Sequence, residues 1–425
     1  MRVQLFNPPI HHYTGLHYRM NPPLGLPIIA AVLEQAGHDA EVWDLEALGV
    51  SPDKLARAFG KQKAAWPDAV GFTVTCQNAR GARESIAALR SVGYDRPILV
   101  GGPQITLDPH GWDAIAIVGE CEGSIVADMQ WAVEAVKTEP RTTAILTGEP
   151  MDIDDIPPPL WSKHVPRPRE YGGNAPILAK PEGITMWSRG CPHRCIFCSN
   201  PCFRRQRIRY RSPELIREEM QALVDMGIKA VFVYDDEAVQ GHHAHQEWLI
   251  DVCEQIKPLG LLWKCQGRCS TKIERETLQA MYDAGCRGVM WGVESMSQKV
   301  LDAIRKDLTE EDIWHTLRLS HEVGINNWIL LMVGNYQETP DDLAYTYREL
   351  SKAQSEGLIR WLNCTVCTPL PGTELYDWAK AEGWYVEPPE HGPPMGQAYA
   401  PTPWLSTWDL NYWRSRFLSL SGPWQ

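Results

Sequence analysis

A chain of 425 residues is long enough for two or three domains with cores of their own, and its apolar content of 44% is ordinary for a globular protein. With 41 Lys and Arg against 53 Asp and Glu the net charge is −12, which argues against nucleic acid as a partner. No apolar run reaches the roughly 18 residues of a membrane span, and the opening Met-Arg-Val-Gln-Leu-Phe lacks the apolar core of a secretory signal. Twelve cysteines in such a chain are therefore expected in a reducing cytoplasm, holding metal rather than disulfides.

Residues 1–140 read as alternating strand and helix. Residues 2–6 are a short apolar run that stops at Asn7-Pro8-Pro9, and residues 26–35 have helical periodicity ending at Ala36-Gly37. Further strands are expected at 41–45, 69–75, 98–100 and 114–118. Five strands with intervening helices imply a doubly wound, Rossmann-like parallel sheet, which binds ligands beyond the carboxyl ends of its strands. The loops at that edge are Asn7-Pro8-Pro9, the stretch Thr73 to Asn78, Gly101-Gly102-Pro103 and Gly119-Glu120-Cys121-Glu122-Gly123.

Those loops, with Pro22-Pro23-Leu24-Gly25-Leu26, resemble the cobalamin-binding domain fused to many radical SAM enzymes. The resemblance implies that Asn7, Pro8, Gly101, Gly102, Pro103, Gly119, Glu120 and Glu122 surround the corrin and its nucleotide tail, with Thr73 and Thr75 along the tail. The Asp-x-His-x-x-Gly motif that supplies a cobalt-coordinating His elsewhere is missing. Asp108-Pro109-His110 begins it, but residue 113 is Asp and the segment follows the wrong strand. Cobalt without a His ligand is implied, its lower face near Cys76, Gln77 or Asn78. The alternative is an ordinary nucleotide-binding Rossmann domain.

Residues 141–180, rich in Pro and Gly and without sustained period, read as a linker. A second strand–helix series follows, with strands expected at 184–188, 230–234, 262–266, 288–292, 327–333 and 361–367 and an amphipathic helix at 213–226 carrying Glu218 and Glu219 on its exposed face. Six units are too few for a closed eightfold barrel, so residues 181–380 are expected to form a partial (β/α)6 barrel with its chemistry at the strands' carboxyl ends.

The first of these strands delivers Ser188-Arg189-Gly190-Cys191-Pro192-His193-Arg194-Cys195-Ile196-Phe197-Cys198. Three thiols at such spacing point into one small volume, and three thiolates are one short of a closed 4Fe-4S cluster. One iron is left open to a substrate, as catalytic zinc sites keep a vacant position. A zinc loop or a set of buried thiols is the alternative, but no matching second CxxC lies nearby. The CxxxCxxC spacing with an aromatic before the last Cys resembles the radical SAM superfamily. There the open iron of a cluster on Cys191, Cys195 and Cys198 chelates S-adenosylmethionine (SAM), whose reductive cleavage yields a 5′-deoxyadenosyl radical.

The resemblance also assigns the polar residues that fall just past each strand. Asp235-Asp236-Glu237 takes the place of the segment that binds the SAM amino group; Arg268 is implied for the SAM carboxylate or ribose, and Glu294-Ser295 for the ribose and methionine end. Gly334 is implied near adenine, and Phe197 against it. Lys306 matches a family lysine, although a solvated lysine at a helix end is the expectation. His242, His243 and His245 are expected in a solvated loop rather than on a metal; no second cluster is expected on Cys265, Cys269, Cys364 and Cys367, one of the last two being core, and Cys202 is expected as a bystander. The basic stretch Arg204 to Arg211 is expected to meet acidic residues of its own chain. Residues 381–425, with Trp384, Trp404, Trp408, Trp413 and Trp424, are expected to cover the barrel mouth, with a helix over 409–418.

Together the two halves imply a cobalamin-dependent radical SAM methyltransferase that methylates an unactivated carbon of a small molecule by way of methylcobalamin. An external electron donor of flavodoxin or ferredoxin type is implied as partner. A cobalamin-dependent cyclase or rearrangement enzyme is the competing enzymatic reading, and a cobalamin sensor the non-enzymatic one.

Overall fold

The computed structural model describes residues 1–10, 21–173, 175–200, 207–389 and 396–421. The chain divides into two compact units, residues 1–174 and residues 175–388 with the C-terminal segment. Arg204, Arg205, Cys202 and Trp424 lie outside the described residues.

In the first unit the expected strands are β1 (Arg2–Asn7), β2 (Asp39–Asp44), β3 (Ala69–Thr73), β4 (Ile98–Gly101) and β5 (Ile115–Val118). All pair in parallel, in the order β5-β4-β3-β1-β2. The chain leaves β1 to one side for β2 and returns to the other for β3, so the switch point lies between β1 and β3. Alternation along β1 sends Val3 and Leu5 to one face and Phe6 to the other. Leu33, Val42 and Met129 pack on the first face; Phe59, Phe72 and Tyr94 pack on the second.

The stretch expected as a linker is not one. Ala144–Thr147 forms β6 beside β5, and His164–Val165 forms β7 beside β2, so residues 141–174 supply both outer strands of a seven-stranded sheet. Tyr171 then donates its hydroxyl to the buried Asp44 carboxylate at 2.7 Å, tying this stretch to the end of β2.

The second unit is built on β8 (Glu182–Thr185), β11 (Ala230–Val233), β12 (Leu262–Gly267), β13 (Cys286–Glu294), β14 (Asn326–Val333) and β15 (Trp361–Val366), six parallel strands in chain order. β8 and β15 are its two edges, which makes it the open barrel expected. The first strand is shorter than anticipated. Beyond β8 the chain turns off into β9 (Ser188–Arg189), which pairs antiparallel with β10 (Arg209–Tyr210), so the thiol loop springs from its own two-stranded ribbon.

Helix Pro213–Asp225 forms as its pattern predicts, with Ser212 at the N-cap position. Glu219, however, is buried rather than exposed. Its carboxylate accepts from Arg211 Nη1 and from Thr185 Oγ1, each at 2.7 Å, which also gives Arg211 an acidic partner of its own chain. The C-terminal helix, Thr407–Leu418, starts at a capping box of Ser406 and Asp409. It lies along the open edge of the sheet, and its Leu410 packs beside Gly334 at the carboxyl end of β14. Arg414 Nε donates to the Cys364 carbonyl at 2.9 Å, and Ser421 Oγ bonds both the N–H and the carbonyl of Leu362 at 3.0 Å, satisfying backbone groups that β15 leaves unpaired. Among the described residues no helix is long and apolar enough to cross a membrane.

One ion pair is sealed inside the second unit. Lys264 Nζ lies 2.7 Å from Glu182 Oε2, both side chains fully buried, and donates to the Pro176 carbonyl at 2.6 Å. Breaking such a pair from one side strands a charge, whereas removing both groups does not. Lys264→Met is expected to lower unfolding free energy by about 3–5 kcal/mol, and Lys264→Met with Glu182→Leu to recover most of that loss in urea titrations. A double variant no more stable than the single one would contradict this.

Candidate active site

The thiol loop is held at both ends by groups that come from elsewhere in the second unit. The end nearest β9 is held by the three acidic residues that follow β11. Asp235 is fully buried; its carboxylate accepts from Trp187 N at 2.7 Å and from Ser188 Oγ at 2.6 Å. Asp236 accepts from Gly190 N at 2.9 Å. Gly190 has φ of +107°, in the left-handed region that favours glycine, and this turns its N–H toward that carboxylate. Glu237 takes the Cys191 thiol at 3.5 Å and lies 3.4 Å from His193 Nε2. Beyond the second thiol the loop is pinned through Ile196, which donates its N–H to the Ile304 carbonyl and accepts from Leu375 N. The Ile196 side chain is buried with Ile304, Cys367 and Leu375.

Along this loop Cys191, Cys195 and Cys198 are half-buried and free of disulfides. They lie within electrostatic reach of one another: Cys198 raises the Cys191 thiol pKa, and Cys195 raises that of Cys198. Burial is the larger cause, pushing Cys191 up to about 12, with Glu237 next, and Cys198 up to about 11. Burial raises Cys195 too, but Lys306 and Arg268 beside it act in the opposite sense. Three thiols on one loop, protonated until a metal displaces the protons, and flanked by two cations are a donor set that fits an iron–sulfur cluster with one iron unligated by cysteine.

Lys306 is not the solvated lysine expected. It is buried, its Nζ 3.0 Å from Glu294 Oε1 and 6.0 Å from the Phe197 ring centroid. Burial opposes its charge, but Glu294 and Cys195 outweigh that and raise its pKa. Glu294 adopts φ of +62°, rare for a residue with a side chain, at the end of β13, where its carboxylate meets Lys306. Phe197, Arg268, Glu294 and Lys306 are thus gathered around Cys195.

Other assigned residues are placed differently. Both oxygens of Asp235 are committed to the loop, so it positions the thiols rather than a ligand. Ser295 is buried, its hydroxyl 3.1 Å from Thr346 Oγ1 and accepting from Ser297 N at 3.2 Å, facing the helices. The Gly334 N–H is taken by Glu338 Oε2 at 2.7 Å. Glu338 also accepts from Asn335 N, and burial raises its pKa to about 7. His245 is buried rather than solvated, bonded to the Ala238 carbonyl at 2.9 Å and packed at a tilt against Tyr210 and Trp248. Cys265, Cys269, Cys364 and Cys367 are all buried, and among the described residues they form no metal-ligating group.

In the first unit the four loops meet at the carboxyl edge of the sheet. Asn78 is central: its Nδ2 donates to Asn7 Oδ1 at 3.3 Å and to the Thr73 carbonyl at 3.2 Å, and its Oδ1 accepts from Thr75 N at 2.7 Å. Asn7 donates in turn to Asp44 at 2.9 Å. This network spans the switch point and uses up the buried Asn78, so it organises the loop and leaves Cys76, half-buried, and Gln77, exposed, on the outside. Burial raises the Cys76 thiol pKa. The remaining loops are laced together: Val74 N to the Gly101 carbonyl, Gln104 N to the Val74 carbonyl and Gly119 N to Thr106 Oγ1 at 2.9 Å. Pro8 is buried, Gly102 and Glu120 are half-buried, Pro103 is exposed and Glu122 is buried. His110 is exposed beyond helix Pro103–Leu107. Among the described residues these loops present thiol, amide, hydroxyl and backbone groups, which suit the edge of a corrin.

An open six-stranded parallel barrel with three thiols on one loop beyond its first strand, preceded by a doubly wound sheet, defines an enzyme that joins SAM cleavage to a second cofactor. Family models agree. Residues 185–350 match the radical SAM superfamily, and residues 18–127 match the B12 binding domain. The chain belongs to the cobalamin-dependent radical SAM enzymes, and its cofactors are a 4Fe-4S cluster, SAM and cobalamin. It is 27% identical over 382 residues to an uncharacterized methyltransferase of Pyrococcus horikoshii, covering 85% of this chain and 79% of that one. It is 26% identical over 407 residues to the anaerobic magnesium-protoporphyrin IX monomethyl ester cyclase of Rubrivivax gelatinosus, covering 88% and 69%. The fold matches the structure of the radical SAM methyltransferase TsrM from Kitasatospora setae with cobalamin and a 4Fe-4S cluster bound, at a TM-score of 0.66 and 18% identity over 91% of this chain and 76% of that one.

Asp235→Ala leaves two buried donors, Trp187 N–H and the Ser188 hydroxyl, without their acceptor, at a cost of about 1–3 kcal/mol each. The variant is expected to melt several degrees lower and, after anaerobic reconstitution, to retain less than half the iron of the unsubstituted protein. Unchanged melting and iron content would contradict the clamping role.

Proposed function

We propose that the chain transfers a methyl group from SAM, by way of cobalamin, to an unactivated carbon of a small molecule. The observation that carries this is the pairing, in one chain, of a three-thiol loop flanked by cations with a doubly wound sheet whose carboxyl-edge loops are of the cobalamin-binding type. When bound, the cluster supplies the electron that cleaves SAM and cobalamin carries the methyl group.

The chain's own residues supply position and charge. Cys191, Cys195 and Cys198 would hold the iron. Arg268 and Lys306, beside Cys195, suit the SAM carboxylate; Glu294 suits its ribose or ammonium, and Phe197 its adenine. Asn7, Thr73, Thr75, Cys76, Gln77 and the glycine loops Gly101 to Pro103 and Gly119 to Glu122 would hold the corrin. This assigns cobalamin to residues 1–140, SAM to 181–380 and closure of the sheet edge to the segment after 380. Positioning is the largest contribution, since well-oriented intramolecular reactions reach effective molarities of about 10⁵ M or more. A flavodoxin or ferredoxin type of donor, in a reducing cytoplasm that keeps the thiols free, completes the scheme.

Anaerobically reconstituted protein given trideuteromethyl-SAM and a reductant is expected to form both 5′-deoxyadenosine and S-adenosylhomocysteine, with the label in a product. 5′-Deoxyadenosine without S-adenosylhomocysteine or label would favour the cyclase chemistry of the Rubrivivax relative, and neither product would leave cobalamin binding alone. Cys195→Ala is expected to lose at least about a hundredfold in 5′-deoxyadenosine formation, a share that one essential ligand readily accounts for, while cobalamin absorbance stays.

A further inference from the structure

The six-stranded sheet has two faces of different character. Asn327 donates to the Leu317 carbonyl of helix Glu310–Val323, which marks its face as the helix side. Trp263, Val289, Ile329 and Cys364 share that side, and all are buried. The register places the other face just as clearly. Phe232 pairs with Lys264, Gln266 with Met290, Met290 with Trp328, Trp328 with Trp361, and Leu330 with Asn363, so these side chains share the inner side.

Burial on this inner face grades along the strands. Toward the amino ends Lys264 is sealed by Glu182, and Phe232, Met290 and Trp328 form an apolar floor against which Leu330 and Trp361 pack. The Trp328 indole lies over Gly288, where a Cβ would come within 2.4 Å of the ring, so the floor is flat because residue 288 has no side chain. Toward the carboxyl ends, Gln266, Leu330, Met332, Asn363 and Thr365 are half-buried, and Tyr234 is 46% exposed at the rim.

Two features decide what such a face takes. Among the described residues it offers no uncompensated charge, since the Lys264 ammonium is spent on Glu182. It does offer amides, since among the described residues the side chains of Gln266 and Asn363 have no hydrogen-bond partner. Half-buried amides without partners above an aromatic floor match a ligand that brings the missing group and little else that is polar. The geometry points to this inner face as the substrate seat, and to a neutral, flat or fused-ring apolar molecule bearing a hydroxyl or carbonyl group as what it takes, not a carboxylate, phosphate or nucleotide. This rests on reading the second unit as the SAM-cleaving barrel.

The test uses anaerobically reconstituted protein titrated calorimetrically with 2-naphthol and 2-naphthoate, which differ in charge on one ring system. One 2-naphthol per chain is expected, with 2-naphthoate at least about tenfold weaker because its charge would be buried unpaired. Leu330→Trp, which fills the seat, is expected to weaken 2-naphthol at least about tenfold, and Asn363→Leu about threefold to tenfold, the worth of one hydrogen bond. Circular dichroism and melting temperature verify that both variants fold. Equal or tighter binding of 2-naphthoate, no 2-naphthol binding, or unchanged binding in both variants overturns the inference. SAM cleavage by the same preparation separates the two readings: 5′-deoxyadenosine with no preference for the neutral probe sinks this inference alone, whereas its absence sinks the assigned function.

Discussion

Three carboxylates in a row, Asp235, Asp236 and Glu237, bind backward onto Trp187, Ser188, Gly190 and Cys191, and the site depends on that contact. A loop bearing three thiols has no intrinsic reason to hold them together, and the desolvation that raises Cys191 and Cys198 opposes their ionisation. Bonds from the end of β11 to the backbone of the loop replace water at its N–H groups and fix its path. The price is a buried acid: burial lifts Asp235 to about 7 against the pull of the very hydrogen bonds that hold the loop.

Cations complete the arrangement on the opposite side. Lys306 and Glu294 form a buried pair at the end of β13, where Glu294 tolerates a left-handed backbone to make it. Beside Cys195 this pair and Arg268 offer both signs of charge within a short span, which suits a zwitterionic amino acid group better than a simple anion. In the first unit the analogous organiser is neutral: Asn78 ties β1 to the loop after β3 through three hydrogen bonds and leaves Cys76 and Gln77 facing outward.

Much of this was legible in the residues. Short apolar runs announced five strands of the first sheet, three of them stopping at Asn-Pro-Pro, Gly-Gly-Pro or Gly-Glu, because a buried parallel strand is a local pattern and often has a local stop. The CxxxCxxC loop was legible for the same reason, its chemistry being carried by spacing. What escaped depended on partners far along the chain. Ala144–Thr147 and His164–Val165 carry little signal of their own and become strands because β5 and β2 offer open edges. Glu219, His245 and Lys306 looked like surface residues, since only the fold brings Arg211, the Ala238 carbonyl and Glu294 to them. Asp235 spends both its oxygens on the thiol loop, which its sequence position could not tell, because a carboxylate that binds a ligand and one that binds its own loop are identical in sequence.

The central claim is that three cysteines leave one iron available to SAM. Electron paramagnetic resonance of the reduced, anaerobically reconstituted protein tests it most directly. A signal from a reduced 4Fe-4S cluster whose g-values move when SAM is added is the predicted result. A spectrum that is the same with and without SAM, or the absence of any cluster signal, would contradict the account.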